Sequence, residues 1–137
     1  MPRLMSFAKT VDQIRDRTKT VTRRDGWTDL EEGDVLQAVT KMPFADPDGW
    51  ERICLIEVVD VRRERVDAVL GYDYRERVWG PDDDGWSETK NYEAEAEGFP
   101  EMSGREFVEF FEKELGAAPD DEITRIEFRY LEERTDG

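Results

Sequence analysis

Lys19 and Thr22 stand out as two side chains whose types and spacing could do chemistry together. Lys19 is one of only 5 lysines in a chain that has 15 arginines, and it lies among threonines and arginines in residues 16–25. A lysine removed from water gives up its proton more easily and can act as a base toward a nearby hydroxyl. The segment therefore indicates a site in which Lys19 activates Thr22.

The same segment also fits an ordinary edge strand made of β-branched residues and charged side chains. On physical grounds alone this structural interpretation is the stronger one. In an ideal strand, residues three apart face opposite sides, so Lys19 and Thr22 can meet only if Lys19 lies in a turn or at a bulge. Both interpretations stay open at this stage.

Other common reactive groups are scarce. The chain has no histidine, which excludes imidazole base catalysis and histidine-ligated metal sites. Its single cysteine, Cys54, lies in the apolar run of residues 53–56 and is expected to be a small buried side chain. One cysteine cannot form a disulfide within the chain or a cysteine zinc site. We expect neither a metal nor an organic cofactor.

Charge is the outlying feature of the composition. With 35 acidic and 20 basic residues the net charge is −15. This excludes a generic basic platform for long duplex nucleic acid, because nonspecific binding depends on cationic neutralisation of phosphates. A high acidic charge with arginine preferred to lysine favours a protein adapted to a salty, halophilic cytoplasm, where salt screens the repulsion.

The N-terminal residues turn polar at once after Met5, and no apolar run approaches the length of a membrane span. We therefore expect a cytoplasmic protein with no membrane contact. The length of 137 residues predicts a single domain over 1–137, with a helical and loop insert around 67–100.

Hydrophobic patterning predicts an α+β fold that is barrel-like, with flanking helices. The predicted strands cover residues 3–7, 19–24, 34–40, 52–65 and 123–131. Capping-box spacing at Thr10 and at Ser103 predicts the starts of two helices, and a third helix is expected near 88–97. The acidic side chains of that third helix are expected to be solvated: Glu93, Glu95 and Glu97. The helix after Ser103 is expected to direct one apolar face inward: Phe107, Phe110, Phe111 and Leu115.

Three glycine-tryptophan pairs fall in predicted loops, at Trp27, Trp50 and Trp86. These indoles either fold back as lids on a thin core or line a pocket for a planar ligand such as a base. The lid interpretation is favoured, since tryptophans usually end up mostly covered. Trp27 is the candidate for substrate binding.

Several short motifs, in order, resemble the ASCH domain, a family in the PUA-like β-barrel superfamily. The motifs are the stretches at residues 18–24, 33–36, 56–61, 96–99 and 126–128. The resemblance covers nearly the whole chain and implies a small mixed barrel with a cleft that takes RNA or modified nucleosides. Some members of the family are amidohydrolases that deacetylate acetylcytidine.

Carried over by motif, the amidohydrolase triad of that family corresponds to Lys19, Thr22 and Glu97. Glu93 and Glu95, close in sequence, are the alternatives to Glu97 for the third position. Since Arg23 and Arg24 alternate along a strand, at most one of them faces the cleft, where it could bind a phosphate or polarise a carbonyl. The expected ligand is a small nucleoside, and the alternative is a noncatalytic module that binds single-stranded RNA or a modified base.

Overall fold

A computed structural model of the chain describes residues 2–75 and 89–131. These residues form seven strands: β1 (Arg3–Ser6), β2 (Val21–Arg24), β3 (Val35–Val39), β4 (Arg52–Arg65), β5 (Asp73–Arg75), β6 (Thr89–Asn91) and β7 (Glu122–Tyr130). The helices are α1 (Val11–Arg15), α2 (Tyr92–Ala96), α3 (Gly104–Leu115) and a 3₁₀ helix (Val66–Tyr72). The chain forms two compact units, residues 1–62 with 124–137, and residues 63–123.

The first unit is built on a five-stranded sheet in the order β1-β3-β4-β7-β2. β1 pairs with β3 in parallel, whereas β3 with β4 and β2 with β7 are antiparallel pairs. The sheet curls into a half-barrel. The α+β class and a barrel-like sheet are therefore confirmed.

One face of this sheet carries the hydrophobic core of the first unit. The core side chains alternate along the strands, as the pleat requires. Together with Ile14 of α1 and Leu30 between β2 and β3, the core consists of Met5, Phe7, Leu36, Ala38, Cys54, Ile56, Val58, Ile126 and Phe128. Cys54 is buried among them, as the sequence indicated.

The second unit packs α3 against the 3₁₀ helix and α2, beside the antiparallel β5–β6 pair. Its core consists of Val66, Val69, Ala94, Phe107, Val108, Phe111 and Ile123. Asn91 is completely buried at the start of α2. Its side-chain oxygen accepts hydrogen bonds from the backbone N–H groups of Glu93 and Ala94, which caps the helix.

The strand predictions agree closely with the structure. The long strand over 52–65 is confirmed at both ends, and the strands predicted over 34–40 and 123–131 appear as Val35–Val39 and Glu122–Tyr130. The prediction for 19–24 is too long, because the strand begins only at Val21. Among the helices, the capping box at Ser103 is confirmed, with both reciprocal hydrogen bonds present.

The helix start predicted at Thr10 is confirmed, since α1 begins at Val11, although the Thr10 side chain makes no capping hydrogen bond. Two local predictions are wrong. Leu115 is 53% exposed, since it is the last residue of α3 before the left-handed Gly116. Residues 89–91 form a strand and not the first turn of a helix, because they pair with β5, so the helix near 88–97 shortens to Tyr92–Ala96.

Within the described ranges, no helix is both long enough and apolar enough to cross a membrane. The Gly-Trp pair at Trp86 and much of the insert around 67–100 lie outside the described residues. The single domain over 1–137 stays a prediction.

Candidate functional site

Lys19 lies just before β2, in the connection from α1, and is only 2% exposed. Its backbone is fixed on both sides. The N–H donates to the carbonyl of Gln13 at 3.2 Å, and the carbonyl accepts a hydrogen bond from the hydroxyl of Tyr130 at 2.6 Å. The lysine is therefore outside the strand, which is the condition under which it could reach the side of Thr22.

Tyr130 is well suited to hold this backbone in place. Its ring packs edge-on against Phe128, and the Arg17 guanidinium lies 5.4 Å from the ring centroid. Burial, helped by the charges of Cys54 and Asp16, raises the pKa of the Tyr130 hydroxyl well above its usual range. The hydroxyl thus remains a donor to the Lys19 carbonyl throughout the neutral pH range.

Thr22 lies in the middle of β2 and is 3% exposed. It pairs with Ile126 on β7, so it shares the face of the sheet that carries the apolar core. The Nε group of Arg24 donates a hydrogen bond to the Thr22 hydroxyl oxygen at 3.1 Å. Thr22 and Arg24 are thus brought together.

Arg24 is anchored at two further points. Its Nη2 group donates to the carbonyl oxygen of Ser6 at 2.6 Å, and its guanidinium carbon lies 4.8 Å from the centroid of the Phe7 ring. These contacts fix the long side chain over the edge of the core.

Arg23 points to the opposite face of β2 from Thr22, as alternation requires. It pairs in register with Arg125 of β7, and both arginines are nearly fully buried. The Arg125 guanidinium lies 3.9 Å from Asp60 and 3.7 Å from Glu127, both partly exposed carboxylates. Two like charges opposite each other repel, and these acids offset part of that repulsion.

Trp27 follows Gly26 in a turn where both residues have a positive φ, +56° for the tryptophan and +80° for the glycine. Its ring is partly buried against the core of the first unit, and the Arg3 guanidinium lies 4.5 Å from the ring centroid. The hydroxyl of Thr124 donates to the carbonyl of Gly26 and fixes the turn. These contacts agree with the lid interpretation, and a substrate-binding role for Trp27 stays a prediction.

In the second unit, Glu97 is 3% exposed and follows directly after α2. Glu93, one helical turn earlier, is also buried, and the expectation that both carboxylates are solvated is wrong. Glu95 is partly buried and accepts a hydrogen bond from the hydroxyl of Tyr74. Of the three acids, Glu93 and Glu97 are the buried ones.

Three buried polar residues were missed by the sequence analysis: Asn91, Thr124 and Arg125. Asn91 had a usable signal, since an asparagine directly before a helical segment is a preferred N-cap. For Arg125 the sequence held no signal of burial, because an arginine between strand residues is ordinarily exposed.

Comparison with protein-family models, with curated proteins and with solved structures gave no match for this chain. The resemblance to the ASCH domain therefore rests on the sequence motifs alone.

Proposed function

We propose that the protein is an amidohydrolase of the ASCH type, with a PUA-like fold, acting on an acylated nucleoside related to acetylcytidine. The observation that carries the proposal is the burial of three polar side chains. Lys19 is 2%, Thr22 3% and Glu97 3% exposed. Lysine and glutamate are almost never fully buried without a specific role or partner.

In the proposed reaction, the Thr22 hydroxyl attacks the amide carbonyl and its proton passes to the amine of Lys19. Collapse of the tetrahedral intermediate breaks the C–N bond. The departing nucleoside amine takes up the proton that Lys19 accepted, directly or by way of Glu97. Water then hydrolyses the threonyl ester, releasing the carboxylic acid and restoring Thr22. Each step uses only these side chains and water.

The hydrogen bond from Arg24 supports the role of Thr22. A hydroxyl has one proton and two lone pairs. Arg24 donates to one lone pair, so the Thr22 proton remains available for a base. An ordinary core threonine would more often direct that proton to a backbone carbonyl.

The test is hydrolysis of N4-acetylcytidine by purified protein, followed by ultraviolet absorbance. We expect turnover by the wild type and a loss of at least about 1000-fold, or about 4 kcal/mol, in Thr22→Ala and Lys19→Ala. The exposed residues Thr20 and Lys9 give matched controls of the same residue types, since Thr20→Ala and Lys9→Ala should keep the rate within about twofold.

Lys19→Arg is the sharper variant, because arginine keeps the charge but does not release a proton near neutral pH. It should be as inactive as Lys19→Ala. A Lys19→Arg variant with near-wild-type rate would show that Lys19 supplies charge and not base catalysis. A wild type that is inert on acylated nucleosides overturns the proposal, and tight binding of single-stranded RNA by that inert protein would favour the noncatalytic module.

A further inference from the structure

The hydrogen bond between Arg24 and Thr22 has a direction that chemistry fixes. Arginine stays protonated at any pH a folded protein tolerates, so Nε can only donate, and the Thr22 oxygen can only accept. When the Thr22 proton leaves, the contact becomes a hydrogen bond between two charged groups, which is shorter and stronger. The cation therefore favours the deprotonated form of whatever group occupies position 22.

The guanidinium is also held rigidly in this position. Nη2 is engaged by the Ser6 carbonyl, and the plane of the group lies near the Phe7 ring. With Nε on Thr22 and Nη2 on Ser6, two of its donors already serve the protein itself. Little reorganisation is needed when a negative charge develops on the threonine.

The residues that pair with positions 22 and 24 are not ionisable. Ile126 lies opposite Thr22 on β7, and Thr124 lies opposite Arg24. From β1 come Ser6 and Phe7. The titratable side chains on this face and beside it include Tyr130 of β7, Cys54 of β4 and Lys19, and Arg24 is the cation that donates a hydrogen bond to Thr22.

We infer that Arg24 is a positioning residue that stabilises the anionic form of Thr22, rather than a ligand of the substrate. This inference rests on the proposed function, in which Thr22 is the nucleophile. It assigns Arg24 a role through Thr22, so its effect should be detectable without any substrate.

The experiment replaces the hydroxyl by a titratable thiol in a Thr22→Cys, Cys54→Ala double variant, which has cysteine only at position 22. With ¹³Cβ-labelled cysteine, the NMR shift against pH gives the pKa of that thiol. We expect a value below the ordinary thiol value of about 8.5, although burial alone would raise it. Adding Arg24→Gln should raise the pKa by about 1 unit or more.

Arg3→Gln is the matched control, because Arg3 is also a cation over an aromatic ring of this unit, and the pKa at position 22 should not change. An unchanged pKa in Arg24→Gln overturns the inference. If the variant with Arg24→Gln does not fold, the Thr22→Cys, Cys54→Ala protein serves as the test. A thiol pKa at or above about 8.5 in that protein overturns the inference. Neither pKa measurement depends on catalytic turnover. A wild-type protein without activity would therefore overturn the proposed function but would not affect this test.

Discussion

Arg24, on one edge strand of the five-stranded sheet, donates a hydrogen bond at 2.6 Å to the backbone carbonyl of Ser6, on the other edge strand. β1 and β2 are separated by three strands in the sheet order. A side chain can join them only because the sheet curls until its edges approach. The same arginine that contacts Thr22 therefore also spans the open side of the half-barrel.

This bridge should contribute measurably to stability. We expect Arg24→Gln to lower the free energy of unfolding by about 2 kcal/mol, because a partly buried hydrogen bond from a charged donor is lost together with the contact to Phe7. Urea denaturation followed by circular dichroism measures the change.

Ser6→Ala is the matched control, because the bond uses the backbone carbonyl of Ser6 and not its hydroxyl. It should change stability by less than about 0.5 kcal/mol. Equal losses in the two variants would contradict a bridge made by the arginine side chain.

Asn91 should be the most sensitive polar residue of the second unit. Its amide nitrogen donates to Val69 and Asp73 at 2.8 Å each, and its oxygen caps α2. Asn91→Ala should cost about 3 kcal/mol, since it removes the cap and leaves buried groups without partners.

Asn91→Asp and Asn91→Ser separate the two functions of this side chain. Aspartate keeps the cap but loses both donors and places a carboxylate beside Asp73, so it should be at least as destabilising as alanine near neutral pH. Serine keeps an N-cap acceptor and should recover part of the loss. An Asn91→Asp variant as stable as the wild type would contradict the importance of the donors.

The sequence predicted the strands well because hydrophobic alternation is a local property. The alternation of Ile126, Phe128 and Tyr130 shows it clearly, and the structure has a strand over Glu122–Tyr130. The capping box at Ser103 is likewise local, since its partners are three residues apart. Thr10 has the same spacing, yet its side chain, only 6% exposed, makes no capping hydrogen bond. Spacing alone therefore does not decide whether the capping contact forms.

Burial of charged residues could not be predicted in the same way. Glu93 lies on a five-residue helix and Glu97 follows it directly, and only tertiary packing decides that both carboxylates are buried. For the candidate site, the spacing of Lys19 and Thr22 was readable from the sequence. The link from Thr22 through Arg24 to Ser6 was not, because it depends on the curl of the sheet.

Stability should rise with salt. A net charge of −15 in a small protein repels itself, and the screening length falls from about 10 Å at 0.1 M to about 3 Å at 1 M salt. We expect the melting temperature to rise steeply with potassium chloride at low concentration and then to level off. Sucrose at matched osmolality is the control, since it stabilises by exclusion without screening and should give a gradual rise. A melting temperature that is flat or falls across the chloride series would contradict this prediction.

The hydroxyl of Tyr130 should make stability depend on pH in the alkaline range. Near pH 8, Tyr130→Phe should cost about 1 kcal/mol, because the hydrogen bond to the Lys19 carbonyl is lost. Burial raises the pKa of Tyr130 in the folded protein above its ordinary value of 10.0, so above pH 10 the unfolded chain releases the phenol proton while the folded protein keeps it. The unfolded state then binds fewer protons, and the wild type loses stability as pH rises, whereas Tyr130→Phe lacks this contribution. In urea titrations of both proteins from pH 8 to 11, the difference in free energy of unfolding should therefore shrink above pH 10. All other tyrosines and lysines are common to both proteins, so their contributions cancel in the comparison. If the difference in free energy of unfolding between the two proteins stayed constant from pH 8 to 11, the Tyr130 hydroxyl would titrate alike in the folded and unfolded states, against this prediction.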